Sequence, residues 1–326
     1  MVRSGLVSIS VGYPMPLQII LKNTQNVDTP SPFQQMLQLE ASEINSVLPS
    51  STPQVASDFH NIRFKYNYSY IPAWLESINN GVATIWVNIP VSIPANSSIT
   101  VDMEVDPSLN FDGVYWGEAP QLSPTYGEYD NGASVFNFYD NFAGTSLNTT
   151  KWGIYLSSGE SYTVNNGFIG SGTGYAFIMS KNAYNPQQYV ADAYGYATST
   201  AIEHAGNWGW AGNQANAGAG SSYQYFVNTY NNAYYSGFWT GSDWYELSFL
   251  GTGSTTSDFV MSIYTTTSAV VASINYGSWI SNSTNFVAST GLSAGFQWNA
   301  GPFYVQWFRL RAIPPNGVMP SVEVIA

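Results

Sequence analysis

The sequence predicts an all-β chain made of two β-sandwich domains, and three observations carry that expectation. Apolar and polar residues alternate with a period of two: Ile99, Val101, Met103 and Val105 interleave with Thr100, Asp102 and Glu104, and Val7, Ile9 and Val11 interleave with Ser8 and Ser10. Such alternation belongs to strands with one face buried. No stretch carries an apolar stripe at helical spacing between capping residues, and the best short candidate, Pro32 to Leu39, reads equally well as a strand. At 326 residues the chain exceeds the usual size of a single core, and 44% hydrophobic with 16% aromatic residues suffices to fill two.

Further strand-like runs are Leu17 to Leu21, Val82 to Val87, Phe259 to Tyr264, Val270 to Ile274 and Phe303 to Leu310. Turn clusters separate them, at Asn79-Asn80-Gly81, Asn165-Asn166-Gly167 and Gly251-Thr252-Gly253. A Pro/Gly/Tyr-rich passage, Gly117 to Gly132, breaks this rhythm, and its aromatics suggest a packed connector. The expected organisation is a sandwich over 1–116, a connector over 117–136, a second sandwich over 137–313, and a β-like tail over 314–326 ending in Ser321-Val322-Glu323-Val324-Ile325. Two β-patterned ends are expected to pair as strands, within the chain or with a neighbouring subunit.

Only 9% of residues are charged, so the polar surface must come from Asn, Ser, Thr, Gln and Tyr, as in secreted and surface-exposed β proteins. The net charge is −12 and the 8 Lys and Arg are scattered from Arg3 to Arg311, which excludes the clustered basic footprint of a nucleic-acid binder. With every carboxylate protonated the charge becomes +10, from 8 Lys and Arg with 2 His, so its magnitude stays modest and an acidic, thermoacidophilic habitat is a reasonable expectation. There is no Cys, which removes disulfides, thiolate metal sites and a Cys nucleophile. No run approaches the roughly 18 apolar residues of a membrane span. Met1 to Gln18 lacks the apolar core of a signal peptide, so either the numbering begins after processing or the protein is assembled in the cytosol, as a virion component would be.

Two resemblances follow from particular residues. Tyr13-Pro14-Met15-Pro16-Leu17, Pro32-Phe33-Gln34, Asp58-Phe59-His60-Asn61-Ile62-Arg63-Phe64, Ile71-Pro72-Ala73-Trp74-Leu75-Glu76, Ile85-Trp86-Val87 and Ile93-Pro94-Ala95-Asn96-Ser97-Ser98 occur in an order that resembles Domain of Unknown Function 2341. That resemblance implies a surface-associated β-sandwich with no known reaction. Phe138-Tyr139-Asp140-Asn141-Phe142 through Lys151-Trp152, with Val305-Gln306-Trp307-Phe308-Arg309-Leu310-Arg311 at the other end, is similar to the first and last strands of the concanavalin A-like or laminin-G-like superfamily. It implies a jelly roll for the second domain. By the same analogy Asp140 with Asn141, or Asp192, could hold Ca2+. The Asp-x-Asp-x-Asp-Gly pattern is missing, so no metal or other cofactor is assigned.

Laminarinase-type members of that superfamily need two carboxylates projecting from one strand face. The second domain lacks a Glu-x-Asp-x-x-Glu run, and Asp243 and Glu246 sit at a spacing that puts them on opposite faces of a strand. No catalytic residues are assigned, and the chain reads as non-enzymatic. His60 and His204 belong to different domains; His60 suits a structural hydrogen bond and His204 an exposed imidazole. Sugar recognition needs an aromatic face beside planar amides, and Asn207, Trp208, Trp210, Asn213 and Gln214 offer both. Trp239, Trp244 and Tyr245 form a second candidate set. The alternative is that these aromatics fill the sandwich or pack against a neighbouring subunit, while Trp74 and Trp86 belong to the core. N-glycosylation sequons occur at Asn67, Asn96, Asn148 and Asn282.

These features support a structural or adhesive subunit of an extracellular assembly, on a virion or cell surface, whose partners are copies of itself or other subunits and possible glycans. The alternative is a secreted carbohydrate-binding module associated with polysaccharide processing.

Overall fold

The computed structural model describes residues 17–198, 206–212, 224–230, 233–239, 243–252, 257–299 and 301–325. The first half contains strands β1 (Leu17–Asn23), β2 (Phe33–Glu40), β3 (Ile62–Tyr66), β4 (Ser69–Ile71), β5 (Ala73–Asn79), β6 (Val82–Ile89), β7 (Ser97–Val105) and β8 (Trp116–Glu118), with helix α1 (Ala41–Val47) after β2. Helix α2 (Gly132–Val135) leads to β9 (Phe138–Asp140), β10 (Trp152–Leu156), β11 (Ser161–Val164), β12 (Phe168–Ser171), β13 (Ala176–Ser180) and β14 (Tyr189–Ala197). Then come β15 (Gly206–Ala211), β16 (Gln224–Tyr230), β17 (Ala233–Trp239), β18 (Trp244–Thr252), β19 (Phe259–Thr265), β20 (Val270–Ile274), β21 (Ile280–Asn282), β22 (Ser293–Trp298), β23 (Phe303–Ala312) and β24 (Ser321–Ile325).

These strands form four sheets stacked as two sandwiches. In the first, a five-stranded sheet ordered β24-β1-β7-β3-β4 faces a four-stranded sheet ordered β2-β6-β5-β8. The alternation read from the sequence fills the space between them: Leu17, Ile19 and Leu21 with Val101 and Met103 meet Leu37, Leu39, Ile85 and Val87. The second sandwich pairs a seven-stranded sheet, β10-β13-β22-β15-β16-β17-β18, with an eight-stranded sheet built on β11-β12-β23-β14-β19-β20-β21, β9 joining β23. The chain crosses repeatedly between these two sheets, the connectivity of a jelly roll. Its core contains Trp152, Phe168, Trp208, Trp210, Phe296, Phe303 and Phe308.

Asn79-Asn80-Gly81 and Asn165-Asn166-Gly167 are hairpin turns as expected. Asn80, Gly81, Asn166 and Gly167 have φ of 51°, 85°, 55° and 121°, the left-handed values such turns demand. One expectation is corrected and one left open is decided. Gly251 and Thr252 do not turn the chain but complete β18, paired with Tyr234 and Ala233 of β17. Pro32 to Leu39 is strand from Phe33 onward, and a short helix missed in the sequence, Ala41–Val47, follows it and buries Ala41 and Ile44.

The tail does not stand apart from the first domain. Its strand β24 runs antiparallel to β1, Val324 opposite Ile19 and Val322 opposite Leu21, so this end pairs within the chain. The other β-patterned end, Val7 to Val11, lies outside the described residues. The return is pinned by buried side chains, since the Gln35 amide donates to the Pro320 carbonyl at 3.1 Å and Gln34 Oε1 accepts the Ala312 N–H at 2.9 Å.

Candidate functional site

The four-stranded sheet of the first sandwich is covered on both faces. Ala73 and Leu75 of β5, with Ile85 and Val87 of β6, face the first core, so Trp74, Glu76 and Trp86 project the other way. They meet the outer face of the eight-stranded sheet. The side chains there depend on a β-bulge: pairing of β14 with β23 shifts between Tyr194, opposite Trp307, and Gly195, opposite Val305, leaving Gln306 as the extra residue. Phe303 and Val305 then face the jelly-roll core together with Phe308 and Leu310, while Trp307, Arg309 and Arg311 face the first domain. Without the bulge, strict alternation would put Trp307 on the same face as Val305.

Arg309 is wholly buried in this interface. Its guanidinium carbon lies 4.4 Å from the Phe136 ring centre, 4.5 Å from Trp86, 4.6 Å from Trp307 and 5.4 Å from Trp74. Its nitrogens pair with Glu76 Oε2 at 2.9 Å and Asp192 Oδ2 at 2.9 Å. Arg311 Nε reaches the same Asp192 oxygen at 2.8 Å. Two guanidiniums and two carboxylates therefore balance in a space lined by indole and phenyl rings. Burial opposes ionisation of Asp192, yet Arg311 and Arg309 beside it hold its carboxyl below the ordinary carboxylate range. Trp86 Nε1 donates to Glu76 at 2.8 Å, and the Tyr276 hydroxyl joins Glu76 to Arg309.

The connector closes one side of this interface. Asp130 accepts from Trp74 Nε1 at 2.8 Å, from the Tyr139 hydroxyl at 2.7 Å and from the Asn141 amide at 2.7 Å, which ties the first domain, the connector and the second domain to one carboxylate. Burial nevertheless pushes the Asp130 carboxyl up. The Tyr126 hydroxyl reaches the carbonyl oxygens of Asn141 and of the bulge residue Gln306, at 2.8 and 2.9 Å.

Beside the Arg309 cluster, an open cleft of about 430 Å³ runs between the sandwiches, bounded by Glu76, Gln121, Tyr194, Asp258, Asn275 and Tyr276 among others. Burial pushes the Asp258 carboxyl up to about 6. Asp258 Oδ1, Gln121 Oε1 and Trp307 Nε1 are buried and make no hydrogen bond among the described residues. Trp307 is stacked against Tyr194, centres 5.4 Å apart and planes at 18°, with Arg309 also close to its ring. Trp307 itself is 0% exposed, so the aromatic surface it leaves to the cleft is that of half-buried Tyr194, with Tyr276 beside it. A second interdomain cleft, of about 480 Å³, is lined by Val27, Pro32, Tyr189, Ile313 and others. Its carboxylate Asp28 already accepts the Ala95 N–H at 2.8 Å.

The sugar platform expected at Trp208 and Trp210 is corrected. Gly206–Ala211 is a strand, and Trp208 and Trp210 are 1% and 2% exposed inside the jelly-roll core. Trp208 stacks on Phe303 at 4.9 Å, and Trp210 Nε1 donates to the Ile263 carbonyl at 3.1 Å. No saccharide can reach those indole faces. Asn207 points the other way and is 2% exposed. Asn213 and Gln214 lie outside the described residues, as does His204. Trp239 ends β17 half-buried, with Trp244 opposite it at the start of β18, and Tyr245 stacks on Phe238 at 5.0 Å.

The calcium candidates have other duties. Asp140 accepts from Trp152 Nε1 at 2.7 Å and from the Phe142 N–H at 2.9 Å, and Asp192 serves the two arginines. Among the described residues no group of three or more His, Asp or Glu is placed to hold a metal. His60 Nδ1 lies 2.6 Å from Asp58 Oδ1, a local hydrogen bond. Of the sequons, Asn67, Asn96 and Asn148 are exposed, while the Asn282 amide donates to Ser248 Oγ at 3.2 Å.

No family model matches the chain, that of Domain of Unknown Function 2341 included. "Uncharacterized protein 562" of Sulfolobus islandicus rod-shaped virus 1 is 41% identical over 128 residues, 38% of this chain and 21% of that protein. The chain thus spans about a fifth of the length of this curated relative. Among solved structures, the Ca2+-bound exoplasmic/lumenal domain of VIP36 aligns with 57% of this chain and 95% of its own at 12% identity and a TM-score of 0.39. A GlcNAcα1-4Gal-releasing endo-β-galactosidase from Clostridium perfringens aligns with 56% of this chain and 64% of its own at 13% identity and a TM-score of 0.38. Lectin and glycosidase folds therefore both occur among the structural neighbours, and similarity at this level bears on neither ligand nor reaction.

Replacing Arg309 by Ala leaves two buried carboxylates short of a partner and is expected to destabilise the chain by roughly 3–5 kcal/mol. In a cycle with Asp192→Asn, chemical denaturation should give a double variant less destabilised than the sum of the singles, and simple additivity would contradict the coupling. Asp258 titrates in the opposite sense to Asp192. Its folded value, about 6, lies above the ordinary 3.8, so its stabilising contribution is full below pH 3.8 and is lost as pH rises through about 6. Asp258→Asn should therefore compare more favourably with the native chain at pH 7 than at pH 4 in thermal melts, and a difference constant across that range would exclude the assignment.

Proposed function

We propose that the chain is a structural, glycan-contacting subunit of an extracellular assembly, on a virion or cell surface, and that it has no catalytic role. The observation that carries this reading is the buried Arg309 cluster, which joins the two sandwiches face to face through a core of their own. Relative motion is the ordinary expectation for two domains unless their interface is extensive and apolar, and a joint that holds them in one relation suits a subunit that fixes spacing in an assembly. The likeness of part of the chain to a protein of a rod-shaped virus is in keeping with a viral surface. So is a surface on which Asn67, Asn96 and Asn148 stand exposed for glycan attachment.

A secreted carbohydrate-binding module is the second reading, favoured by the polar cleft around Asp258 and Tyr194. The two readings share contact with glycans and differ in self-association. Mass photometry and negative-stain micrographs of the purified full chain separate them: ordered oligomers or filaments are expected, and a strict monomer at every accessible concentration and at both neutral and acidic pH would overturn the structural reading.

A further inference from the structure

We propose that the free edge of β24 receives a strand from a second copy of this chain, residues 7–11, so that copies join head to tail. The inference rests on the structural-subunit part of the reading above and gives the contact between subunits a place.

β24 is the last strand of its sheet, and among the described residues nothing pairs with its far side. Such an edge presents a row of N–H and C=O groups that can template another strand. The opposite edge of the same sheet, β4, is three residues long, whereas β24 runs for five. The side chains of β24 are also incompletely covered. Val322 and Val324 pack against the first core, continuing the rows set by Leu21 and Ile19, yet both stay half-buried, and Ile325 is 40% exposed. One more strand with apolar residues at alternate positions would complete those rows.

Val7, Ile9 and Val11 carry that alternation, with Ser8 and Ser10 between them, and lie outside the described residues. A register that sets two of these apolar residues against Val322 and Val324 puts Ser8 or Ser10 opposite Glu323, so no second charge meets that carboxylate. A second β24 is a poorer occupant. The antiparallel register that pairs all five of its residues places Glu323 directly against its counterpart, and like charges so placed repel.

The connection to β1 decides which copy donates. The chain enters β1 at Leu17, next to Gln18, which lies opposite Ile325 at the end of β24. To reach the far edge of its own β24, the segment would have to reverse over that end within Gly12, Tyr13, Pro14, Met15 and Pro16. Each proline favours an extended conformation in the residue before it, here Tyr13 and Met15, and a Pro-rich passage extends as a semi-rigid spacer. At about 3.1 Å per residue, these five residues carry the donor roughly 15 Å beyond β1, away from its own edge and toward another copy. Donor and acceptor are different surfaces of the chain, so the contact is heterologous, and its repetition builds a ring or a filament.

The chain has no Cys, so paired cysteines introduced into the full chain test the contact. Glu323→Cys chains co-expressed with Ser8→Cys or Ser10→Cys chains and mildly oxidised should give a disulfide-linked dimer of the two, located by mass spectrometry, in yield well above that of any variant alone. In mass photometry, Ile9→Pro, which removes a ladder N–H, should weaken association roughly tenfold or more. Thermal melts confirm folding, and if Ile9→Pro fails to fold, the cysteine pairs carry the test. An internal bridge in a monomer carrying both Ser10→Cys and Glu323→Cys, without linkage between chains, overturns donation in favour of pairing within one chain. Linkage of Glu323→Cys chains to one another alone overturns it in favour of a contact between two β24 strands. Assemblies that form without any cross-link, or that survive Ile9→Pro undiminished, overturn this contact and leave the structural reading standing, whereas a strict monomer ends both.

Discussion

A guanidinium removed from water must find its compensation in the protein, and the way Arg309 finds it governs how the two halves of this chain meet. The group needs carboxylates on more than one side, and these come from different domains: Glu76 from a strand of the first sandwich and Asp192 from a strand of the second. It also needs low-polarity surroundings that still favour a cation, which the faces of Trp74, Trp86, Phe136 and Trp307 provide. Neither sandwich alone supplies both requirements. The relative placement of the domains is therefore fixed by electrostatic and aromatic complementarity more than by the length of the connector.

The bulge at Gln306 is what makes this compatible with a jelly-roll core. One extra residue lets β23 place Phe303 and Val305, then Phe308 and Leu310, on the same inner face, and it turns Trp307, Arg309 and Arg311 outward. The connector reinforces the same point, since the Tyr126 hydroxyl reaches the bulge carbonyl and Asp130 gathers Trp74, Tyr139 and Asn141. Packing between the four sheets is thus set by a few polar anchors inside a largely aromatic interface. The cleft beside them is lined by residues of both sandwiches, Glu76 and Asp258 among them.

Much of the fold was legible because period-two alternation survives wherever one face is dry, as at Leu17–Asn23 and Ser97–Val105. The asparagine-glycine turns were legible because only those residues accept left-handed backbone cheaply. The site was not. Arg309 and Arg311 alternate with Phe308 and Leu310, and nothing in that alternation tells that the face they occupy is covered by another domain. Trp208 and Trp210 also obey period-two alternation, but the Asn and Gly around them suggested a loop, so core residues looked like a binding surface. The cleft residues Gln121, Tyr194 and Asp258 are far apart in sequence and form no motif.

Domains joined only by a connector unfold independently, whereas domains sharing a buried core unfold together. Scanning calorimetry of the full chain measures this directly. A single transition with matching calorimetric and van't Hoff enthalpies is predicted, separating into two transitions when Arg309 is replaced by Ala. Two transitions in the unaltered chain would contradict the claim that Arg309 and its partners make one body of the two sandwiches.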